Sequence, residues 1–82
     1  MTDAYKGFEL FSDIEDKALR NRNRAVVLTN MANMHTKNKR INAAGAGLIL
    51  GYFNLVPMED RGDVQRRFMD QMQKEGFILA AN

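Results

Sequence analysis

Apolar residues recur every three to four positions in three stretches of this 82-residue chain, the spacing of one face of an α-helix. The first stretch predicts a helix over residues 13–35. Its inner face carries one polar exception, Asn21, among the apolar residues Ile14, Ala18, Ala25, Leu28 and Ala32. The segment Ser12–Glu15 matches a capping box, in which serine and glutamate side chains satisfy backbone N–H groups at a helix start. The β-branched run at residues 25–29 also fits a short buried strand, but we favour the helix because the chain offers no second strand to pair with it.

A second helix is predicted after a polar connection. Residues 36–40 contain no apolar side chain and predict a loop, in which Asn38 is a suitable N-cap for a helix over residues 39–55. Apolar residues surround most of that helix, so we expect it to be buried on several sides. They form two rows: Ile41, Ala44, Leu48, Tyr52 and Leu55 in one, and Ile49, Phe53 and Val56 in the other.

A third helix is predicted over residues 63–75, with Val64, Phe68 and Met72 on one face. Pro57 either ends the second helix or opens the next segment, and residues 58–62 are interpreted as a turn or a loose first turn. Gly76 follows as a left-handed residue that closes the helix, with apolar Phe77 behind it.

These elements predict an all-α fold: a small three-helix domain with a central apolar second helix. The whole chain, residues 1–82, forms one domain, because no proline-, glycine- or serine-rich linker divides it. Residues 1–12 are interpreted as an arm or a short helix that packs against the second helix. The pattern leaves the conformation of residues 1–11 and 77–82 open.

Size and composition narrow the class of protein. A chain this short buries only about 60–65% of its unfolded surface, so its core is thin. It contains no cysteine, which excludes disulfides and thiolate metal sites. No apolar run is long enough to span a bilayer and the N-terminus lacks the pattern of a signal peptide, so we expect a cytoplasmic protein.

Charge is segregated along the chain although the net charge is only +2. Residues 17–56 carry seven basic side chains and no acid, whereas residues 1–16 carry five acids and one base. Residues 57–82 are nearly balanced, with five acids and four bases. The middle of the chain is therefore the candidate surface for an acidic partner.

The sequence offers little for catalysis, which needs a nucleophile, an acid–base pair or a metal ion in one concave site. It has one histidine, His35, and one serine, Ser12, which is already assigned to helix capping. His35 has no second histidine with which to share a metal ion, and adjacent acids such as Glu59 and Asp60 point in diverging directions on a helix. We expect a protein that is not an enzyme and that has no cofactor and no metal site.

The basic middle of the chain predicts a binding surface. Its residues are Lys17, Arg20, Arg22, Arg24, Lys37, Lys39 and Arg40. We favour an adaptor or inhibitor that docks with them on the acidic surface of a larger protein. The alternative is a nucleic-acid-binding protein in which the same residues contact the phosphates of DNA or RNA. The second helix is too apolar to read a groove, and the aromatic residues do not lie among the bases, which weakens that alternative.

Small residues form a ridge on the second helix, where Ala43, Gly47 and Gly51 recur every four positions. Such patterns let another backbone approach closely. Glycine within a helix costs about 1 kcal/mol relative to alanine, so these glycines indicate a compensating contact. We favour a contact with the first or third helix of the same chain. The alternative is the same ridge of a second subunit, in a homodimer.

Overall fold

The computed structural model describes residues 10–77 and shows an all-α domain of three helices with one short strand pair. In chain order the elements are a 3₁₀ turn (Phe11–Asp13), α1 (Lys17–Met34), β1 (Thr36–Lys37), β2 (Arg40–Ile41), α2 (Ala43–Phe53) and α3 (Met58–Lys74). The predicted fold class is confirmed, and α1 includes the β-branched run for which a strand was the alternative. The predictions for residues 1–9 and 78–82 lie outside the described residues.

The start of α1 differs from the prediction because the chain is extended at Ile14, with φ −77° and ψ 121°. The residue that caps α1 is Asp16, whose carboxylate accepts a hydrogen bond from the backbone N–H of Leu19 at 3.1 Å. Ser12 lies in the 3₁₀ turn, so the predicted capping box is wrong. This turn packs chiefly against α1, whereas the N-terminal arm was predicted to pack against the second helix. Most of that arm, residues 1–9, lies outside the described residues.

β1 and β2 form a hairpin where the sequence predicted a loop. The strands are antiparallel, with Thr36 opposite Ile41 and Lys37 opposite Arg40. The two turn residues, Asn38 and Lys39, have φ values of 56° and 64°. Two successive left-handed residues make a type I′ turn, whose twist matches that of the flanking strands. Asn38 therefore occupies a hairpin turn, and its prediction as a helix N-cap is wrong.

α2 begins later than predicted because the hairpin occupies the residues assigned to its first turn. Its cap is Asn42, whose side-chain oxygen accepts a hydrogen bond from the N–H of Gly45 at 2.8 Å. α2 buries one face, through Gly45, Ile49 and Tyr52, while Leu50 on another face is 64% exposed. The prediction of burial on several sides is therefore wrong. α1 takes the central place, because it packs against both α2 and α3.

α3 begins five residues earlier than predicted, because residues 58–62 form its first turn, which was one of the two alternatives for this segment, and Pro57 precedes it as the N-cap. Glu59 and Asp60 lie in its first turn, where the helix dipole favours negative charge. The end agrees with the prediction: Gly76 has a φ of 79°, and the N–H of Phe77 donates to the carbonyl O of Met72 at 3.0 Å. Phe77 is consequently folded back onto the core.

The apolar core lies between α1 and the two later helices. Its buried members are Ala25, Leu28 and Ala32 from α1, Ile49 and Tyr52 from α2, Val56 from the connection to α3, Val64, Phe68 and Met72 from α3, and Phe77 from the segment after α3.

Two polar contacts at the edge of the core show how α1 and α3 are aligned. Asn21 Nδ2 donates to Asp63 Oδ2 at 3.0 Å, and Asn33 Nδ2 donates to Glu75 Oε1 at 3.0 Å. Each bond joins residues 42 positions apart, so α1 and α3 run parallel in one constant register. α2, which lies between α1 and α3 in the sequence, returns the chain to the start of α3.

Among residues 10–77, no side chain covers the small-residue ridge of α2. A methyl group added at Gly47 or Gly51 meets no atom within 4 Å, and Ala43 is exposed as well. The prediction that the ridge packs on the first or third helix is therefore wrong, while contact with a second subunit stays a prediction. Gly45 is different, because an added Cβ would overlap the Cβ of His35 and lie 3.0 Å from Ile41 Cγ2. Glycine at this position lets α2 approach the hairpin.

These environments predict opposite effects of the same substitution at two glycines of one helix. We expect Gly45→Ala to lower the free energy of unfolding by about 1–3 kcal/mol, because the new methyl group overfills the contact with the hairpin. Gly47→Ala should raise it by about 1 kcal/mol, because alanine favours the helix and the space is open. Urea denaturation followed by far-UV circular dichroism measures both changes. A loss of stability in Gly47→Ala would contradict the open surroundings of Gly47.

Candidate functional site

Two of the predicted binding residues, Arg20 and Arg24, turn inward and bind one buried carboxylate. Arg20 Nη2 donates to Asp60 Oδ2 at 2.9 Å, and Arg24 Nη1 donates to the same oxygen at 3.0 Å. The side chains of Arg24 and Asp60 are only 2% and 4% exposed. Arg24 therefore cannot belong to a docking surface, and Arg20, which is mostly covered, has its guanidinium engaged within the protein. We call Arg20, Arg24 and Asp60 the buried charge cluster.

Neighbouring polar groups satisfy much of the remaining hydrogen bonding of the two arginines. Arg24 Nη1 also donates to Asn21 Oδ1 at 2.9 Å, and Arg24 Nη2 donates to Ser12 Oγ at 3.1 Å. Arg20 Nη1 donates to the carbonyl O of Ile14 at 3.1 Å. The buried charge cluster thus joins the segment before α1 to both α1 and α3.

The carboxylates of α3 that face α1 have lowered pKa values. Burial raises the pKa of Asp60, but the hydrogen bonds from Arg24 and Arg20 outweigh it and hold the pKa below the usual 3.8. For Asp63, a hydrogen bond from Asn21 is the largest of several that lower the pKa to about 2. Both carboxylates are ionised near neutral pH, so neither has a proton to give as a general acid. Their role in the geometry is to hold α3 against α1.

The other predicted binding residues are exposed: Lys17, Arg22, Lys37, Lys39 and Arg40. Three of them lie together on the hairpin, and we call Lys37, Lys39 and Arg40 the basic hairpin. Lys39 Nζ lies 5.3 Å from the centre of the Phe77 ring, a cation–π contact that attaches the hairpin to the end of α3. Within residues 10–77, the side chains of Lys37 and Arg40 have no ion-pair or hydrogen-bond partner.

The remaining two exposed bases lie on α1, apart from each other. Lys17 Nζ is 3.8 Å from Asp60 Oδ1, so it adds a third, looser positive charge to the buried charge cluster. Arg22 lies at the edge of a groove between α1 and α3. Its side chain has no ion-pair or hydrogen-bond partner among the described residues.

The groove between α1 and α3 has a volume of about 550 Å³. Each helix supplies one rim through residues spaced four apart, which share a helix face. The rims are Arg22, Val26 and Asn30 on α1, and Arg66, Asp70 and Lys74 on α3. Ala25 and Thr29 lie behind the α1 rim. At one end Glu75 accepts hydrogen bonds from Gln71 and Asn33, which lower its pKa.

Sequence reasoning missed Asp60 and the α3 rim of the groove. A signal for Asp60 exists, because it lies four residues before Val64 and so continues the inner row of α3 by one turn. Arg66 has no such signal. It donates to Asp63 Oδ1 at 2.7 Å and lies 3.7 Å from Asp70 Oδ2, like many ion pairs on a solvated helix face.

Comparison with protein-family models, with curated proteins and with solved structures found no match to this chain. Within residues 10–77, no helix is long and apolar enough to cross a membrane. The same residues contain no group of three or more histidine, cysteine or carboxylate side chains that could hold a metal ion.

The buried charge cluster predicts a large effect of a small substitution. Asp60→Asn should lower the free energy of unfolding by about 3–5 kcal/mol, because it leaves two guanidinium groups without their buried counter-charge. Asp70→Asn is the matched control: its carboxylate is 58% exposed, so we expect a change within about 0.5 kcal/mol. Urea denaturation measures both. Equal stability of the two variants would contradict the assigned role of Asp60.

The lowered pKa values predict acid unfolding in a defined range. A carboxylate whose folded pKa lies below its unfolded pKa stabilises the fold at higher pH, and this stabilisation is lost as the pH falls through the folded pKa. For Asp60 and Asp63 the free energy of unfolding should be level above about pH 5 and fall from about pH 4 to about pH 2. Urea denaturation at a series of pH values tests this. The decline should be shallower in Asp63→Asn, and an unchanged slope in that variant would count against the assignment.

Proposed function

We propose that this protein is a non-enzymatic cytoplasmic adaptor or inhibitor that docks through its basic hairpin on an acidic surface of a larger protein. The observation that carries the proposal is the pairing of Lys37 with Arg40 across the hairpin. Directly opposite residues of two antiparallel strands place their side chains on the same face, and like charges in such a pair repel. No acidic side chain among residues 10–77 pairs with Lys37 or Arg40, and an acidic group of a partner would relieve this repulsion.

The conformation of the hairpin supports this interpretation. Lys39 has a positive φ of 64°, at a turn position where glycine is the least strained residue. Its ammonium group lies over the Phe77 ring, and this contact offsets part of the strain. The bond from the Thr36 hydroxyl to the carbonyl O of Arg40, 2.7 Å long, also fixes the strands. A hairpin ordered in advance loses less conformational entropy when a partner binds.

A protein partner is favoured over nucleic acid by the position of the aromatic rings. Binding of single strands combines basic side chains with exposed rings on which bases stack. Tyr52, Phe68 and Phe77 are 7–8% exposed and belong to the core, so they offer no stacking platform. Arg20 and Arg24 pair with Asp60 inside the protein, so two of the charges that were predicted to contact a phosphate backbone are not accessible to it.

The proposal is tested by affinity capture from an extract of the native host, with and without nuclease treatment. We expect a specific protein that remains bound after nuclease treatment and is lost with Lys37→Gln/Arg40→Gln. The matched control, Gln65→Glu/Gln73→Glu, changes the net charge by the same amount at exposed positions of α3 and should retain the protein. Higher salt should weaken capture, since the contact is electrostatic.

Three outcomes would contradict the proposal. Equal capture by wild type and the hairpin variant would show that the basic hairpin is not the docking surface. Loss of the protein on nuclease treatment would favour the nucleic-acid alternative. So would tight binding of random DNA or RNA with an affinity that falls steeply as salt rises and with a slope that decreases by about one for each basic residue removed.

A further inference from the structure

We propose that the groove between α1 and α3 seats a helix of the partner protein, one with an apolar side chain flanked by a carboxylate four residues to either side. This inference rests on the proposed function and defines the chemistry of the segment that the protein recognises. It extends the proposed docking surface from the basic hairpin to the groove between α1 and α3.

The shape of the groove fits a helix. Its two rims are straight rows on parallel helices, and each row spans eight residues, or about 12 Å at 1.5 Å per residue. The constant register of α1 and α3 keeps the rims side by side over that length. A third helix packs into such a channel by fitting the ridge of its side chains between the two rows.

The middle of the groove offers an apolar contact. Val26 stands at the centre of the α1 rim and is 47% exposed, although its neighbours Ala25 and Thr29 are buried. The Thr29 hydroxyl donates a hydrogen bond to the carbonyl O of Ala25 at 2.9 Å, so its polar hydrogen is already satisfied within α1. An apolar side chain of a partner helix would cover Val26 and remove it from water.

Basic groups lie at both ends of this apolar centre. Arg22 and Arg66 occupy the first positions of the two rims, and Lys74 occupies the last position of the α3 rim. Arg22 and Lys74 have no ion-pair or hydrogen-bond partner within residues 10–77. Lys39 of the basic hairpin lies over the ring of Phe77, three residues after Lys74, and its charge contributes to the lowered pKa of Glu75. The groove therefore complements a segment that carries acid, apolar and acid side chains in that order.

The same residues disfavour a nucleic-acid strand in the groove. Its lining contains no aromatic side chain on which a base could stack. Two of its residues, Asp70 and Glu75, are carboxylates that would repel a phosphate backbone. A helical peptide needs no aromatic ring for stacking, and it brings two carboxylates, which Arg22 and Lys74 can pair, in place of a continuous run of phosphates.

The test uses a capped, alanine-based helical peptide with one leucine and a glutamate four residues to either side, titrated into the full chain. A control peptide of equal composition carries the glutamates two residues from the leucine, on the opposite face of its helix. We expect the first peptide to bind at least about tenfold more tightly, a difference of about 1.4 kcal/mol. Amide shifts in the NMR spectrum should change within residues 22–30 and 66–75.

Substitutions in the protein complete the test. Val26→Ser should weaken binding of the first peptide about fivefold to tenfold, while Leu19→Ser, at a residue of α1 that is 46% exposed and outside the groove, should leave it unchanged. Arg22→Gln/Lys74→Gln should reduce both the affinity and its dependence on salt. Equal binding of both peptides, no effect of Val26→Ser, or displacement of the peptide by a single-stranded oligonucleotide would overturn the inference.

The two proposals fail in distinguishable ways. If Lys37→Gln/Arg40→Gln abolishes capture of the native partner but Val26→Ser and Arg22→Gln/Lys74→Gln do not, the groove is not part of the docking surface and the proposed function stands. If none of these variants changes capture, the proposed function fails as well.

Discussion

The fold depends on one carboxylate, Asp60, which two arginines of α1 neutralise inside the protein. Removing it would leave Arg20 and Arg24 desolvated without a counter-charge, at a cost of several kcal/mol. A domain of this size has a total stability of roughly 4–12 kcal/mol, so that loss is a large part of the whole. The buried charge cluster therefore constrains where the first turn of α3 lies relative to α1. The groove between α1 and α3 therefore depends on this cluster as well.

We infer that the buried charge cluster contributes more to the specificity of helix pairing than to net stability. Arg20 Nε, Arg24 Nε and Asp60 Oδ1 are buried without a hydrogen-bond partner among residues 10–77, so burial of these charges is incompletely compensated. The contacts in the core behind them are apolar and therefore non-directional, so they specify the register of the two helices less strongly than a charge pair does. A shift of one turn would move Asp60 by about 5 Å and separate it from both arginines. The charges thus select one register.

The sequence predicted the features that depend on the local spacing of apolar residues and glycine. Three helices, the closing role of Gly76 and the apolar rows of α1 and α3 follow from periodicity. The hairpin was missed because its turn contains Asn38 and Lys39, without the glycine that marks most type I′ turns. The inner position of Arg24 was missed although it lies four residues before Leu28, because its partner Asp60 is 36 residues away in sequence. Local charge counts contain no information about such a pair.

This long-range pairing changes the meaning of the acid-free stretch at residues 17–56. Successive residues of an α-helix are rotated by about 100°, so Arg22 points away from the side that Arg20 and Arg24 share. The three arginines therefore have two roles. Arg20 and Arg24 bind Asp60 of α3 inside the protein, and Arg22 lies on the rim of the groove between the two helices. The basic surface is smaller than the sequence indicates, but the buried arginines fix its shape. Loss of Asp60 would weaken the helix pairing that forms the groove, whereas loss of Arg22 would remove only a charge.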